Sequence, residues 1–437
     1  MPTAFDALII GSGPAGATAA VLLARAGWSV ALIEKQEFPR RKVCGECIAA
    51  SNLPLLNALG LDLSAPGAAA GAPLRRTGVL QGAHSVFFDL PAAHAADMQW
   101  GRALGRETLD AHLLELACEA GATVWQPWAV ESLEGLPGAF RCAVRHTKTA
   151  QGAALTAAVA ILANGSWEPL PAQRAQRRAQ RRPSDLLAFK ANFRAGALPE
   201  GVLPVLSFAG GYGGMVVAGT EVLTLACCVR ADRLEQWRRA APGCAAGEAV
   251  EAALRREVAG VEAALVNAVR VHPWMAAGPL QPGVQLRADD TVFRIGNAAA
   301  EAHPIIGEGM SMAMQSAWLL CAQLLGARAP LQGDPAELAS WQRQVARRYA
   351  RLWHRQFALR LRLAALLAHA AMRPRWSGPV LGAVLQRWPS LATRAVAWCG
   401  KTRTVPDAAT IARLVGRRSA PAALPGAGAP GPGHGLL

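Results

Sequence analysis

The alternation of apolar and polar residues along the 437-residue chain changes period several times, and each change marks an element. Ala7-Leu8-Ile9-Ile10 is too short an apolar run for a helix and ends in glycine, which predicts a strand buried on both faces. An alanine- and leucine-rich stretch over residues 15–25 predicts a helix ended by Gly27, and Val30-Ala31-Leu32-Ile33 predicts a second buried strand. A helix is expected over 51–61 and a strand over 79–90. Another helix is expected over 109–120, capped by Thr108 and burying Leu109, Leu113, Leu116 and Ala117. Residues 123–130, 140–146 and 157–163 read as strands.

Beyond this point the pattern shifts. Strand-like segments at 187–193, 205–208, 215–218 and 222–229 follow one another across glycine turns, which suggests an antiparallel sheet. A helical pair is expected at 231–240 and 248–258, a strand at 292–296 and a long apolar helix at 309–325. Residues 335–418 read as helical, with Trp341, Tyr349, Trp353, Trp376, Trp388 and Trp398 mixed among arginines. The composition of 419–437 cannot bury a core and predicts a disordered tail.

Charge and cysteine content narrow the picture. A net charge of +15 calls for an anionic partner: nucleotide, membrane surface or RNA. The nine scattered cysteines suit reduced thiols and a cytoplasmic location. No leader is expected before Met1. No apolar run reaches about 18–20 residues without a charge, so no spanning helix is expected. The basic run 174–182 reads as a solvated loop, and nucleic acid is not an expected partner because no aromatics interleave it. The helical C-terminus is read as a cap whose arginine stems cover apolar surface, with peripheral membrane contact as the second reading. No Cys/His cluster has zinc spacing, so no metal is expected.

The chemistry begins at Gly11-Ser12-Gly13-Pro14-Ala15-Gly16, a G-x-G-x-x-G between the first strand and the first helix. Gly11 permits the tight turn, Gly13 lets backbone N–H groups approach a diphosphate, and Gly16 lets helix and strand pack closely. The helix N-terminus adds unpaired donors and roughly half a positive charge. Glu34, ending the second strand, is placed to accept from an adenosine ribose. This is a Rossmann-type unit that suits NAD or FAD equally. Cys44 and Cys47 form a C-x-x-C, but a disulfide reductase needs a second dinucleotide domain, and no second G-x-G-x-x-G follows a strand.

Three stretches together resemble the flavoprotein hydroxylase superfamily of aromatic monooxygenases, geranylgeranyl reductases and flavin-dependent halogenases. The first is the opening unit with its continuation Phe38-Pro39-Arg40-Arg41-Lys42-Val43-Cys44-Gly45-Glu46, similar to an F-P-R-x-K-x-C-G segment that runs along the flavin. Arg106 resembles a family arginine that contacts the cofactor. Residues 294–311, from Arg294-Ile295-Gly296-Asn297 through His303-Pro304 to Gly309-Met310-Ser311, resemble the motif that binds the ribityl chain and ring. Asn297 stands where the family has Asp, and Asn164-Gly165 stands where it has Asp-Gly. Gly210-Gly211-Tyr212 resembles a reductase segment that lacks its tryptophan here. The halogenase W-x-W-x-I-P signature is absent, so a halogenase is not expected.

The resemblance implies FAD as cofactor, with NADPH or NADH as candidate electron source. It implies a cofactor-binding set of Gly11, Ser12, Gly13, Pro14, Ala15, Gly16, Glu34, Lys35, Arg41, Cys44, Gly45, Arg106, Val130, Asn164, Gly165, Gly296, Asn297, Pro304, Gly307, Gly309 and Met310. His303 is the candidate catalytic residue; a turn histidine with a structural role is its other reading. The expected fold class is α/β: a Rossmann-type FAD-binding domain (1–75, 100–166, 286–330), an antiparallel-sheet substrate domain (76–99, 167–285), a helical C-terminal region (331–418) and the tail. The expected activity is a monooxygenase that hydroxylates an aromatic or phenolic, lipid- or polyketide-like substrate with molecular oxygen. The alternatives are an FAD-dependent reductase of isoprenoid double bonds and a flavoprotein that modifies a side chain of a partner protein.

Overall fold

Because both faces of the strand Ala4–Ile10 are apolar, it takes the middle of a sheet. It pairs in parallel with Val30–Ile33 on one side and Gly152–Leu162 on the other. Thr123–Trp125 extends the parallel set beyond Val30–Ile33, and Phe293–Arg294 lies parallel to Gly152–Leu162. Phe140–His146 and Trp128–Glu134 then add antiparallel strands, which makes seven in all. This computed structural model describes residues 3–65, 67–93, 98–165, 182–219, 221–326, 334–373, 387 and 389–396. The expectations placed on 174–181, on Trp376, Trp388 and Trp398, and on 397–437 lie outside the described residues.

One face of this sheet is covered by the helices Pro14–Arg25, Arg106–Glu119 and Gly309–Gly326, whose buried side chains merge with Val159, Ile161 and the long helix Pro335–Ala371 into the main core. The other face carries Leu8, Ile10, Ile33, Trp125 and Trp128. Burying each large apolar side chain contributes about 1.5–3 kcal/mol, so this two-sided burial fixes the central strands firmly.

A second sheet of eight strands runs Val269–Arg270, Leu186–Arg194, Val222–Arg230, Gly211–Ala218, Val202–Phe208, Arg76–Gln81 and His84–Asp89, with Met275–Ala277 also on Leu186–Arg194. Its neighbours are antiparallel except for Val202–Phe208 with Arg76–Gln81, which are parallel. The helices Ala231–Ala240, Ala246–Glu257 and Ala259–Leu265 close its outer face. Its inner face, through Leu186, Ala188, Tyr212 and Cys228, packs against Ala368 of the helix Pro335–Ala371 and against Val43 and Ile305.

Several boundaries differ from the sequence reading for local reasons. The single strand expected at 79–90 is a hairpin, Arg76–Gln81 and His84–Asp89, because Gly82 takes φ +56 and turns the chain. Gln126-Pro127 interrupts the strand expected at 123–130, since proline offers no ladder N–H. Thr108 lies inside the helix Arg106–Glu119. Gly105 is its N-cap residue, and the donor at the helix start, Arg106 N–H, goes to the Glu46 carboxylate at 3.2 Å. The region expected to be helical from 335 is one helix to Ala371, with a further helix Pro389–Val396.

Candidate functional site

The glycine loop behaves as its spacing demands. Gly11 has φ +100, and a Cβ there would lie 2.6 Å from Ala163 O. A Cβ on Gly16 would lie 1.8 Å from Gly11 O, so loop and helix touch through backbone. Gly13 caps the first helix, and a Cβ on it would meet only Arg106 Nη2, at 3.7 Å. The mouth of that helix is therefore open and faces a guanidinium. Pro14 and Ala15 form its first turn and are buried.

Two arginines share one carboxylate beside this mouth. Arg106 donates Nε and Nη2 to the two oxygens of Asp110 at 2.8 and 2.7 Å, and Arg40 Nη1 stands 3.6 Å from the same carboxylate. Burial pulls the Arg106 pKa down, but Asp110 and Cys44 more than offset it, and the group is raised overall. Arg40 Nε and Nη1 are buried without a hydrogen-bond acceptor. Glu34 Oε2 accepts from Ser12 N and Ser12 Oγ at 3.1 Å each and from Arg40 Nη2 at 3.4 Å, while Oε1 accepts from Gln36 N at 3.0 Å. A carboxylate has about four lone-pair sites, so Oε1 keeps room for a ribose hydroxyl.

The distant motif folds onto the same place. Gly296 takes φ +58, donates to Ser316 Oγ at 2.8 Å, and a Cβ on it would come within 3.0 Å of Ala15 Cβ. Asn297, Gly309, Met312, Ala313 and Trp353 line a shallow cleft beside it. Gly165 follows the strand Gly152–Leu162 with φ +73, and Ala163 N donates to Ile10 O at 2.8 Å, which sets Asn164-Gly165 beside the loop. Gly307 takes φ +63, Met310 is buried and Pro304 is exposed. Added Cβ atoms on Gly45 and Gly309 would meet nothing within 4 Å. The open mouth at Gly13, the orphaned Arg40 nitrogens and the free space at Gly45 and Gly309 fit a dinucleotide with a flat ring system.

Other expected residues lie further out. Arg41 is exposed, and its neighbour Arg40 is the one turned inward. Lys35 is half-buried at the end of the second strand. Val130 is half-buried opposite Val144, two residues after Trp128 N donates to Glu34 O at 2.8 Å. Cys44 Sγ accepts from Glu46 N at 3.4 Å, and neither Cys44 nor Cys47 is part of a disulfide.

His303 is buried against the inner face of the second sheet. Its Nδ1 lies 3.0 Å from the Tyr212 hydroxyl, and its ring meets His369 edge-on with centroids 5.8 Å apart. Burial, with a smaller contribution from His369, pushes its pKa down to about 4, so it is neutral at pH 7. Burial raises Tyr212 as well, and Cys228 and Glu301 reinforce that rise. The surroundings are apolar: Leu186, Ala188, Cys228 and Ala368, with Val43, Ile305 and Met372 against them. Gly210 N donates to Met372 O at 3.0 Å and Ser207 Oγ to Ala371 O at 2.8 Å, which fastens the end of the long helix over this compartment.

Two buried polar groupings escaped the sequence reading. Glu46, with φ +55, accepts from Lys190 Nζ, from Thr224 Oγ1 at 2.5 Å and from the N–H of Arg106, and so ties the second sheet to the helix that carries Arg106. Arg360 stands 4.0 Å from Glu308 and donates to Gln315 Oε1 at 3.4 Å, and Gln315 in turn reaches Ser51. Lys190 is the one charge inside LLAFKANF, a signal that could have been read.

The glycine loop meets Arg106 at Gly13 and the Gly296–Met310 motif at Ala15, so the three parts are neighbours, as a site for a flavin dinucleotide requires. The profile of the family described as "FAD binding domain" matches residues 4–355, and the chain belongs to that family. It is an FAD-dependent oxidoreductase of the flavoprotein monooxygenase and halogenase group. A menaquinone reductase of Mycobacterium tuberculosis is 26% identical over 441 residues, covering 94% of each chain. A tryptophan 2-halogenase of Chondromyces crocatus is 47% identical over 60 residues, and the match spans only 14% of this chain and 11% of that one. A probable FAD-dependent monooxygenase from Pseudomonas aeruginosa superposes with a TM-score of 0.63 over 87% of this chain and 100% of that one, at 18% identity, a likeness of fold.

Proposed function

We propose that this protein is an FAD-dependent monooxygenase that hydroxylates a phenolic, lipid-like molecule. In this reading the parallel sheet and its helices form a Rossmann-type cradle for FAD, the second sheet bears the substrate, and the cofactor set is the one above with Arg40 added. Bound FAD supplies electron storage and the activation of oxygen. One oxygen atom enters the ring and the other leaves as water, and reduced nicotinamide nucleotide supplies the two electrons, directly or through a carrier.

The protein holds and orients. Arg40 and Arg106 neutralise the diphosphate at the helix mouth, where backbone N–H groups also point. N–H groups at the start of Gly309–Gly326 stabilise negative charge that develops on the ring by about 1–3 kcal/mol. The long helix excludes water from the compartment beneath it.

The observation that carries the reading is the Tyr212–His303 pair, a polar contact within a largely apolar compartment beside the cofactor motif. Being neutral, His303 has one ring nitrogen free of a proton. When the Tyr212 hydroxyl donates toward Cys228, Nδ1–H of His303 donates to the tyrosine oxygen and Nε2 is left to accept a hydrogen bond from a phenol hydroxyl. That hydrogen bond orients the ring for attack by activated oxygen; with its pKa pushed down, His303 positions the phenol and does not remove its proton.

The test is turnover of an alkylresorcinol under labelled oxygen gas. Label in the product, with oxygen consumed in equal amount, is expected. A product that has gained two hydrogens without oxygen would sink this reading. It would support reduction of an isoprenoid-type double bond, which the full-length likeness to a menaquinone reductase favours.

A further inference from the structure

We propose that the outward face of the helix Pro335–Ala371 docks the protein on an anionic lipid bilayer, whichever reaction the flavin site performs. The distribution of charge points there first. Residues 338–418 contain 16 basic residues and one acidic residue, Asp407, a net of +15. The whole chain has 45 basic and 30 acidic residues, so the remainder holds 29 (45 − 16) and 29 (30 − 1) and is neutral. The entire excess positive charge therefore lies in this C-terminal stretch. Within its described residues, 338–373, 387 and 389–396, there is no acidic residue.

The helix sorts these charges onto one side. Arg347, Arg351, Arg355, Leu359, Arg362 and Leu366 are all exposed, and their spacings of four, four, four, three and four residues keep them on a single stripe. Leu359 and Leu366 are 58% and 67% exposed, and Leu367 nearby is 44% exposed. The aromatic residues Tyr349, Trp353 and Phe357 point inward and are buried. This distribution decides between anionic partners. A single-stranded nucleic acid is held by arginines with aromatic platforms for stacking and a duplex by polar contacts to its phosphates, and neither has a use for exposed leucines. Arginines flanking exposed leucines suit a bilayer interface, with the leucines entering the acyl boundary and the arginines meeting anionic headgroups.

Position supports the same occupant. The exposed leucines lie toward the end of the helix whose inner face, through Ala368 and Met372, closes the apolar compartment of Tyr212 and Cys228. Docking by this stripe brings that compartment next to the bilayer, where an apolar substrate would be concentrated. Among the described residues no helix is long and apolar enough to cross a membrane, so the contact is one of surface binding.

The full-length, FAD-loaded protein is sedimented with vesicles of phosphatidylcholine alone or mixed with phosphatidylglycerol. Pelleting is expected only with the mixed vesicles, and it should weaken as salt is raised. Replacing Arg351, Arg355 and Arg362 together by Ala is expected to weaken binding roughly five-fold per arginine, on the order of a hundred-fold in total. Leu366→Ser with Leu367→Ser should weaken it while leaving the salt dependence in place. Retained flavin absorbance and far-ultraviolet circular dichroism report that these surface variants fold, and the comparison of vesicles with the unaltered protein needs no variant. Equal pelleting with both vesicle types, no pelleting with either, or a triple variant that pellets like the parent would each overturn the proposal. So would binding to an RNA duplex by protein that the mixed vesicles leave in solution.

Discussion

Asp110 offers the sharpest test of the cofactor cradle. It is fully buried and pairs with both Arg106 and Arg40, whose side chains are 13% and 10% exposed. Asp110→Asn keeps the shape and one acceptor but leaves two guanidinium groups facing each other. Removing one partner of a buried ion pair costs about 3–5 kcal/mol; because both arginines retain some solvent, the lower end, about 3 kcal/mol, is expected for the FAD-free protein. If the diphosphate lies where Gly13 opens onto Arg106, bound FAD returns the missing negative charge. A ten-fold gain in FAD affinity would add about 1.4 kcal/mol to the stabilisation that saturating FAD confers. Urea denaturation of both proteins, each with and without FAD, measures the two quantities. An FAD-free variant as stable as the parent would refute the energetic argument. A variant that gains less from FAD than the parent would refute the placement of the diphosphate.

Gly13→Ala should fold normally and lose FAD affinity by at least ten-fold in a fluorescence titration, because the new methyl enters the open mouth. Gly16→Ala, whose Cβ would lie 1.8 Å from Gly11 O, should instead lower the thermal midpoint of the FAD-free protein. His303 is held neutral when folded, with its pKa pushed down from 6.5 to about 4, so the unfolded chain binds more protons between those values. Its contribution is complete above about pH 6.5 and is lost as pH falls toward 4, at most about 3 kcal/mol, and His303→Gln should flatten that part of the stability–pH curve. Lys190→Met strands the Glu46 carboxylate and should cost about 3–5 kcal/mol in denaturant unfolding, whereas Glu46→Gln with Lys190→Met should recover more than half of it.

The cradle could be read from the sequence because its physics is local. Gly11, Gly13 and Gly16 act through backbone over six residues, and a strand and a helix flank them, so spacing alone specifies the shape. The same holds for Gly296 and Gly309, whose conformational freedom is written in the residue type. What escaped depends on contacts distant in sequence. Glu46 meets Lys190 and Thr224 only once its loop packs on the second sheet. Of the adjacent arginines at 40 and 41, sequence offers no reason to prefer one; Arg40 turns inward because Asp110 and the Phe38 ring, 4.6 Å away, receive it. Thr108 looked like a helix cap, yet a carboxylate from another segment took the donor at the helix start.

These distant contacts explain how a cleft built mostly from glycine stays in shape. Glycine motifs make room but hold nothing, and each backbone freedom they add must be constrained by neighbouring groups. Around this cleft the constraint comes from buried polar groups at its margins. Glu46 locks the loop after Gly45 to the second sheet and to the Arg106 helix. Glu308, Arg360, Gln315 and Ser51 join the start of the Gly309–Gly326 helix to the long C-terminal helix. Buried charges are costly to assemble and costlier to break, so each network favours one relative placement of the parts it joins. The C-terminal helix is therefore part of the site's geometry as well as its cover. If so, Arg360→Met, on the buried side of the helix and with no place in the glycine cradle, should lower FAD affinity through Glu308 and the Gly309 helix start. Titration of the variant with FAD checks this, and an affinity equal to the parent's would show that the helix covers the site without shaping it.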